Sequence, residues 1–218
     1  MTILGGGKAV MSERTDNISH GIQRKAVEVL VDTVLRHVDK DREKAFLQAV
    51  DLAEEFYGKG FTKEDYDKVR AAIKDPNNKW MRYINRVLDE TNPNVAKMAI
   101  MNLGYEAFFR GTKMIRKNRE IYNCNIPWLI LFDPTSACNM HCAGCWAGTY
   151  GNKNNLSFED MDRIITEGKE LGVYIYMLTG GEPLVRKKDI LRLAEKHHDV
   201  EFSIYTNSTL IDDTFCQE

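Results

Sequence analysis

The sequence is short of everything that marks a secreted, membrane-spanning or nucleic-acid-coating protein. Its 218 residues include only five cysteines and five prolines. Five unevenly placed thiols cannot form a secreted disulfide framework. No apolar run is long: Ile126 to Phe132 and Val173 to Leu178 fall far below the roughly 20 residues that cross a bilayer. The opening MTILGGGK lacks the apolar stretch of a signal peptide. Thirty basic residues face 32 acidic ones, a net charge of −2, so no positive field covers the molecule and nucleic acid is not expected as a partner. With 43% hydrophobic and 28% charged residues the composition is globular. A cytoplasmic protein is expected.

What is present divides in two. Residues 1–126 carry 22 basic and 18 acidic side chains, and residues 127–218 carry 8 and 14. In the first region Val27, Leu30, Val31, Val34, Leu35 and Val38 recur at three-and-four spacing, as do Phe46, Ala49, Val50, Ala53 and Tyr57, which predicts amphipathic helices. Gly58 and Gly60 are expected to close the second helix, and Thr62 with Asp65 to open a third. Asp75-Pro76 and Asn92-Pro93 read as cap-plus-first-turn pairs. The chain is thus expected to begin with a disordered tail over 1–16 and to continue as a helical region over 17–125.

After Pro127 the period changes. Trp128–Phe132, Val173–Leu178 and Val200–Tyr205 read as short strands covered on both faces, separated by helices that start at Ser157 and around Ile190. Strand, helix, strand, helix, strand implies an α/β fold of parallel strands with right-handed crossovers. The expectation for 126–218 is a partial parallel (β/α) barrel of about three βα units, truncated relative to a closed barrel. In such folds the reactive residues gather in loops after the C-terminal ends of the strands.

The loop after the first strand reads DPTSACNMHCAGCWAG and brings Cys138, Cys142 and Cys145 within eight positions. In a reducing compartment that spacing reads as metal ligation. A cubane iron–sulfur cluster takes four ligands, so three thiols leave one iron for a distant residue or another molecule. Cys124 suits that place poorly, since seven strand residues at about 3.3 Å each set it roughly 20 Å away; Cys216 stays open. The competing reading is a structural zinc site using the thiols and His141, whose place beside Cys142 points poorly for joint ligation.

The CxxxCxxC loop, the Gly180-Gly181-Glu182-Pro183 turn after the second strand and the Thr206-Asn207-Ser208 turn after the third resemble the radical S-adenosylmethionine (radical SAM) family in order and spacing. The branches set beside it are lipid-acting members and those of the molybdenum-cofactor type. The resemblance implies a [4Fe–4S] cluster on the three cysteines, with S-adenosylmethionine on the fourth iron. It also implies reductive cleavage of that sulfonium to a 5′-deoxyadenosyl radical that abstracts hydrogen from a substrate the sequence does not identify. The class would be oxidoreductase or transferase. It further implies that Gly180, Gly181, Glu182 and Pro183 bind the methionine end, that Thr206 and Asn207 lie near the nucleoside, and that a one-electron donor such as flavodoxin or ferredoxin is a partner. No side chain is named as catalytic, because the cofactor carries the chemistry.

The chain departs from the family in two places. Gly144 stands where many members carry an adenine-contacting aromatic, for which Trp146 is the substitute, and Ser208 stands where the third turn usually has glycine. Paired glycines also let backbone approach a ligand closely. Trp146 and Tyr150 would either shield the cluster or anchor the loop. His197 and His198, at the end of a helix, read as surface residues. The stretch Arg110, Lys113, Arg116, Lys117 and Arg119, interleaved with apolar residues, fits a peripheral membrane contact or a plain solvated face. The rival class is a zinc-stabilised helical binding module, and a third reading is a catalytically incomplete cluster-binding fragment of a longer enzyme.

Overall fold

The computed structural model describes residues 6–38, 41–57, 62–149 and 153–217. These fall into two compact units, one up to Met101 and one from Asn102.

The first unit is helical: α1 (Gly6–Val38), α2 (Arg42–Tyr57), α3 (Lys63–Lys74), α4 (Lys79–Glu90) and α5 (Pro93–Ala99). α1 includes residues 6–16 of the stretch read as a tail. Gly58 and Gly60 lie outside the described residues. Thr62 and Asp65 form the expected capping box: the Thr62 hydroxyl oxygen accepts from the Asp65 N–H, and the Asp65 carboxylate from the Thr62 N–H. Asn92 caps α5 with Pro93 in its first turn. Asp75-Pro76 does not open a helix. Asp75 ends α3 and turns the chain by accepting from the Asn77 N–H, while Asn78, which accepts from the Trp80 and Met81 amides, caps α4.

The second unit starts within a π-wound segment, Ile100–Gly111, and continues into α6 (Thr112–Tyr122). There follow β1 (Ile130–Thr135), α7 (Phe158–Leu171), β2 (Ile175–Gly180), α8 (Lys187–Lys196), β3 (Glu201–Ile204) and α9 (Asp213–Gln217). The sheet is parallel throughout, in the order β1-β2-β3. Its strands begin one or two residues later than the apolar runs suggest, and Trp128 stands 60% exposed before β1. Ile130, Phe132, Tyr176, Leu178, Phe202 and Ile204 join Met161 and Ile165 of α7 and Ile190 and Leu193 of α8 in one core. The alternation puts Leu131, Met177 and Ser203, which are in register, on the opposite face. That face is open at β1: Leu131 is 52% exposed. β1 is therefore not covered on both faces as expected, whereas Ile175 at the start of β2, on the same face as Leu131, is buried in the core.

Close backbone approach fixes how the helices sit on this sheet. A Cβ at Gly111 would stand 2.5 Å from the Gly172 carbonyl oxygen, and one at Gly172 would stand 2.7 Å from that of Gly111. At Gly168 the space for a Cβ is filled by the Tyr176 hydroxyl, 2.3 Å away. The single Tyr176 proton is shared between the carbonyls of Ile165 (3.0 Å) and Val173 (2.9 Å), and burial pushes the phenol's pKa well above its usual value.

Arg110 is drawn inward, to Tyr174 by a hydrogen bond and to the fully buried Glu106 at 3.7 Å. Arg119 donates to the Ile126 carbonyl at 2.9 Å. Two of the five cations in the basic stretch thus serve the unit's own interior. Among the described residues no helix is long and apolar enough to cross a membrane.

Candidate functional site: the cysteine loop and the ends of three strands

The cysteine loop leaves the C-terminal end of β1 and returns beside it. Its base is closed by an antiparallel bridge between Thr135 and Asn155, by the Ser136 N–H to the Asn154 carbonyl (2.7 Å) and by the Leu156 N–H to the Pro134 carbonyl (3.1 Å). Arg186 braces that base by donating to the carbonyls of Pro134 (3.2 Å) and Leu156 (2.9 Å).

Within the loop Cys138 is half-buried and Cys142 and Cys145 are exposed; all three are free thiols. The Cys145 N–H donates to the Cys142 carbonyl (3.2 Å), and the Met140 N–H is directed at the Cys138 sulfur (3.4 Å). His141 is exposed beside Cys142. Among the described residues no three His, Cys, Asp or Glu side chains converge as a single metal ion requires. The loop supplies three thiols within eight positions. That donor set suits a polynuclear centre, in which each thiolate takes a different iron. Trp146, 65% exposed, opens a short 3₁₀ turn over Trp146–Thr149; Tyr150 lies outside the described residues.

The glycine-rich turn meets this loop backbone to backbone. The Gly181 N–H donates to the Thr135 carbonyl (3.0 Å), and the Glu182 N–H to the Ala137 carbonyl (2.8 Å). A Cβ at Gly181 would fall 2.2 Å from the Ala137 oxygen and 2.6 Å from that of Ser136. Gly180, at φ +109°, would put its Cβ 2.5 Å from the Thr135 oxygen. What these glycines approach in the structure is the cysteine loop's own backbone. Pro183 follows, buried at the start of a 3₁₀ turn over Pro183–Arg186.

Glu182 is 1% exposed, and its carboxylate is engaged from three sides. It accepts from the Leu184 N–H (3.0 Å), the Thr206 hydroxyl (2.7 Å) and the Asn207 N–H (2.7 Å). It therefore joins the end of β2 to the turn after β3. In that turn Ser208 takes φ +64°, the left-handed conformation that glycine adopts without strain. The departure from glycine is one of residue type, not of backbone path.

Sequence reasoning did not single out Asn139, Asn155 or Thr209, which tie the loop to its neighbours. It also misplaced one histidine. His198 is exposed as expected, but His197 is only 4% exposed and bonds Asp162 at 2.8 Å. The helix ends against α7 there, and burial holds the imidazole pKa below its usual value despite the opposing effect of Asp162.

A parallel sheet with a three-thiol loop, a double-glycine turn and a Thr-Asn turn at consecutive strand ends defines the opening of a (β/α) barrel with its polar groups on the C-terminal side. Residues 132–218 match the model of the radical SAM superfamily. The chain is 39% identical over 83 residues to a probable GTP 3′,8-cyclase of Methanothermobacter marburgensis, an alignment covering 36% of this chain and 27% of that protein. It is 34% identical over 84 residues to the GTP 3′,8-cyclase of Campylobacter lari, covering 35% and 26%. It is 31% identical over 91 residues to an AdoMet-dependent heme synthase of Methanosarcina barkeri, covering 40% and 26%. The chain thus spans about a quarter of the length of these relatives. No solved structure matches.

Proposed function

We propose that this chain is the cluster-binding portion of a radical SAM enzyme. The observation that carries the reading is the junction itself: the three-thiol loop is hydrogen-bonded to both the GGEP turn and the third-strand turn. Cys138, Cys142 and Cys145 would hold a [4Fe–4S] cluster. Three protein thiolates leave the fourth iron to S-adenosylmethionine. When bound, that pair supplies one-electron reductive cleavage of the sulfonium and a 5′-deoxyadenosyl radical for hydrogen abstraction. The Met140 amide is directed at the Cys138 sulfur. The Gly180–Pro183 turn would meet the methionine end of bound S-adenosylmethionine, and Trp146 its adenine. A low-potential flavodoxin or ferredoxin would supply the electron. The relatives bear two different activity names, GTP 3′,8-cyclase and AdoMet-dependent heme synthase.

The test is anaerobic reconstitution, counting iron and acid-labile sulfide and then measuring 5′-deoxyadenosine after reduction with S-adenosylmethionine present. About four irons per chain are expected, lost in Cys138→Ser, Cys142→Ser and Cys145→Ser. A colourless, iron-free product refutes the proposal, and stoichiometric zinc without iron favours the helical zinc module. The open inner face around Leu131 favours a second reading, in which this chain alone binds the cluster without substrate turnover. Iron uptake without 5′-deoxyadenosine would select it.

A further inference from the structure

Asn139 lies between the first two cysteines, and both ends of its side-chain amide reach the third-strand turn. The Asn207 amide N–H donates to Asn139 Oδ1 (2.9 Å), the Asn139 amide N–H to Thr209 Oγ1 (2.7 Å), and the Thr209 hydroxyl to Asn207 Oδ1 (2.7 Å). The three bonds form a closed cycle in which every group donates once and accepts once in the same sense. Such cycles polarise one another and strengthen. The Thr209 N–H also donates to Asn207 Oδ1 (3.0 Å), a turn that the left-handed Ser208 makes possible. Behind the cycle, the Asn207 N–H is held by the buried Glu182 carboxylate.

We propose that Asn139, Asn207 and Thr209 are a latch that holds the cysteine loop against the end of β3, anchored through Glu182. Asn207, assigned from sequence to the nucleoside, is then a positioning residue: both ends of its side-chain amide serve the latch. Thr206 is likewise held, since its hydroxyl donates to Glu182 and accepts from the Ser208 N–H (3.0 Å). The latch sets how often the loop swings open and hence how readily a bound cluster loses iron. That last consequence rests on the function proposed above, while the latch itself does not.

Two measurements separate them. In the cluster-free full chain, hydrogen exchange of residues 138–146 should quicken about five- to tenfold in Asn139→Ala and Thr209→Val, as expected when one or two hydrogen bonds guarding a local opening are lost. Thr209→Ser, which keeps the hydroxyl, should restore the wild-type rate. In reconstituted protein the same variants should release iron to a ferrous chelator faster by a similar factor and move the cluster's midpoint potential, with Thr209→Ser again unchanged. Wild-type exchange rates in both Asn139→Ala and Thr209→Val overturn the latch. Failure of the wild-type chain to take up iron overturns the proposed function, and the exchange rates of the cluster-free chain then decide the latch by themselves.

Discussion

The helical unit and the sheet unit differ in how much they bury. Up to Met101 the buried hydrophobic residues among those described are Ala45, Tyr66, Ala96 and Met101, and α4 has no buried residue at all. Ion pairs link the helices of this unit: Arg70 meets Asp51, Glu54 and Asp67, Lys97 meets Glu28 and Asp32, and Arg42 meets Asp89. The Lys25 and Lys97 ammonium groups pull the Glu28 pKa down to about 2. From Asn102 onward a continuous core takes over, with Met161, Ile165, Val173, Tyr176, Leu178 and Leu193 at zero exposure. Solvated ion pairs tolerate small displacements, whereas a close-packed core selects one arrangement. The residues assigned to chemistry stand on the rigid unit.

The largest effect that would probe this contrast is Gly181→Ala. Its methyl would enter the space of the Ala137 and Ser136 carbonyl oxygens, and no flexible side chain is there to give way. The substitution should cost about 3 kcal/mol or more and abolish iron loading, read by urea unfolding and iron analysis. Normal loading would mean that the loop rides on the turn more loosely than these distances require. Next comes Leu193→Ala, expected to lower the stability of the sheet unit by about 3 kcal/mol. An equal loss in the helical unit, followed by hydrogen exchange, would show that the two units unfold as one.

Ser208→Gly should act in the opposite direction, since a left-handed serine is strained. A gain of about 0.5–1 kcal/mol is expected, and any loss would show that the serine side chain is needed. The pH response of the sheet unit should be smaller. His197 is held neutral by burial, so the unfolded chain takes up its proton first on acidification. Stability should therefore fall as pH drops below about 6.5 and level off once the folded histidine also protonates. His197→Gln should flatten that limb of a Tm–pH curve. Smallest and most salt-dependent is Arg70→Ala, which should lower the Tm of the helical unit slightly at low ionic strength and not in about 1 M NaCl, where exposed pairs are screened. A salt-independent loss would mean that Arg70 acts through packing of its stem.

Much of this was legible in the residues. The caps at Thr62, Asn92 and Ser157 and the Gly172 stop are local chemistry, fixed by side chains within four positions of the backbone groups they satisfy. The alternation of elements after Pro127 and the place of the cysteine loop follow from period and order. What escaped depends on distant parts of the chain meeting. Nothing near Asn139 in sequence announces Thr209, 70 residues away, and nothing beside His197 announces Asp162. Asp75-Pro76 misled because Asn78, two residues later, makes the better cap. The role of the paired glycines was visible as close approach, but the partner, the loop's own backbone, required the fold.

The Tyr176 hydroxyl occupying the hollow at Gly168 ties two positions on different elements into one inherited unit. A chain that exchanged the tyrosine for phenylalanine would leave room at the helix, and alanine could then enter at 168; a chain that placed alanine there first would evict the phenol oxygen from both its carbonyl partners. Descendants should therefore change the tyrosine before the glycine, and rarely the reverse.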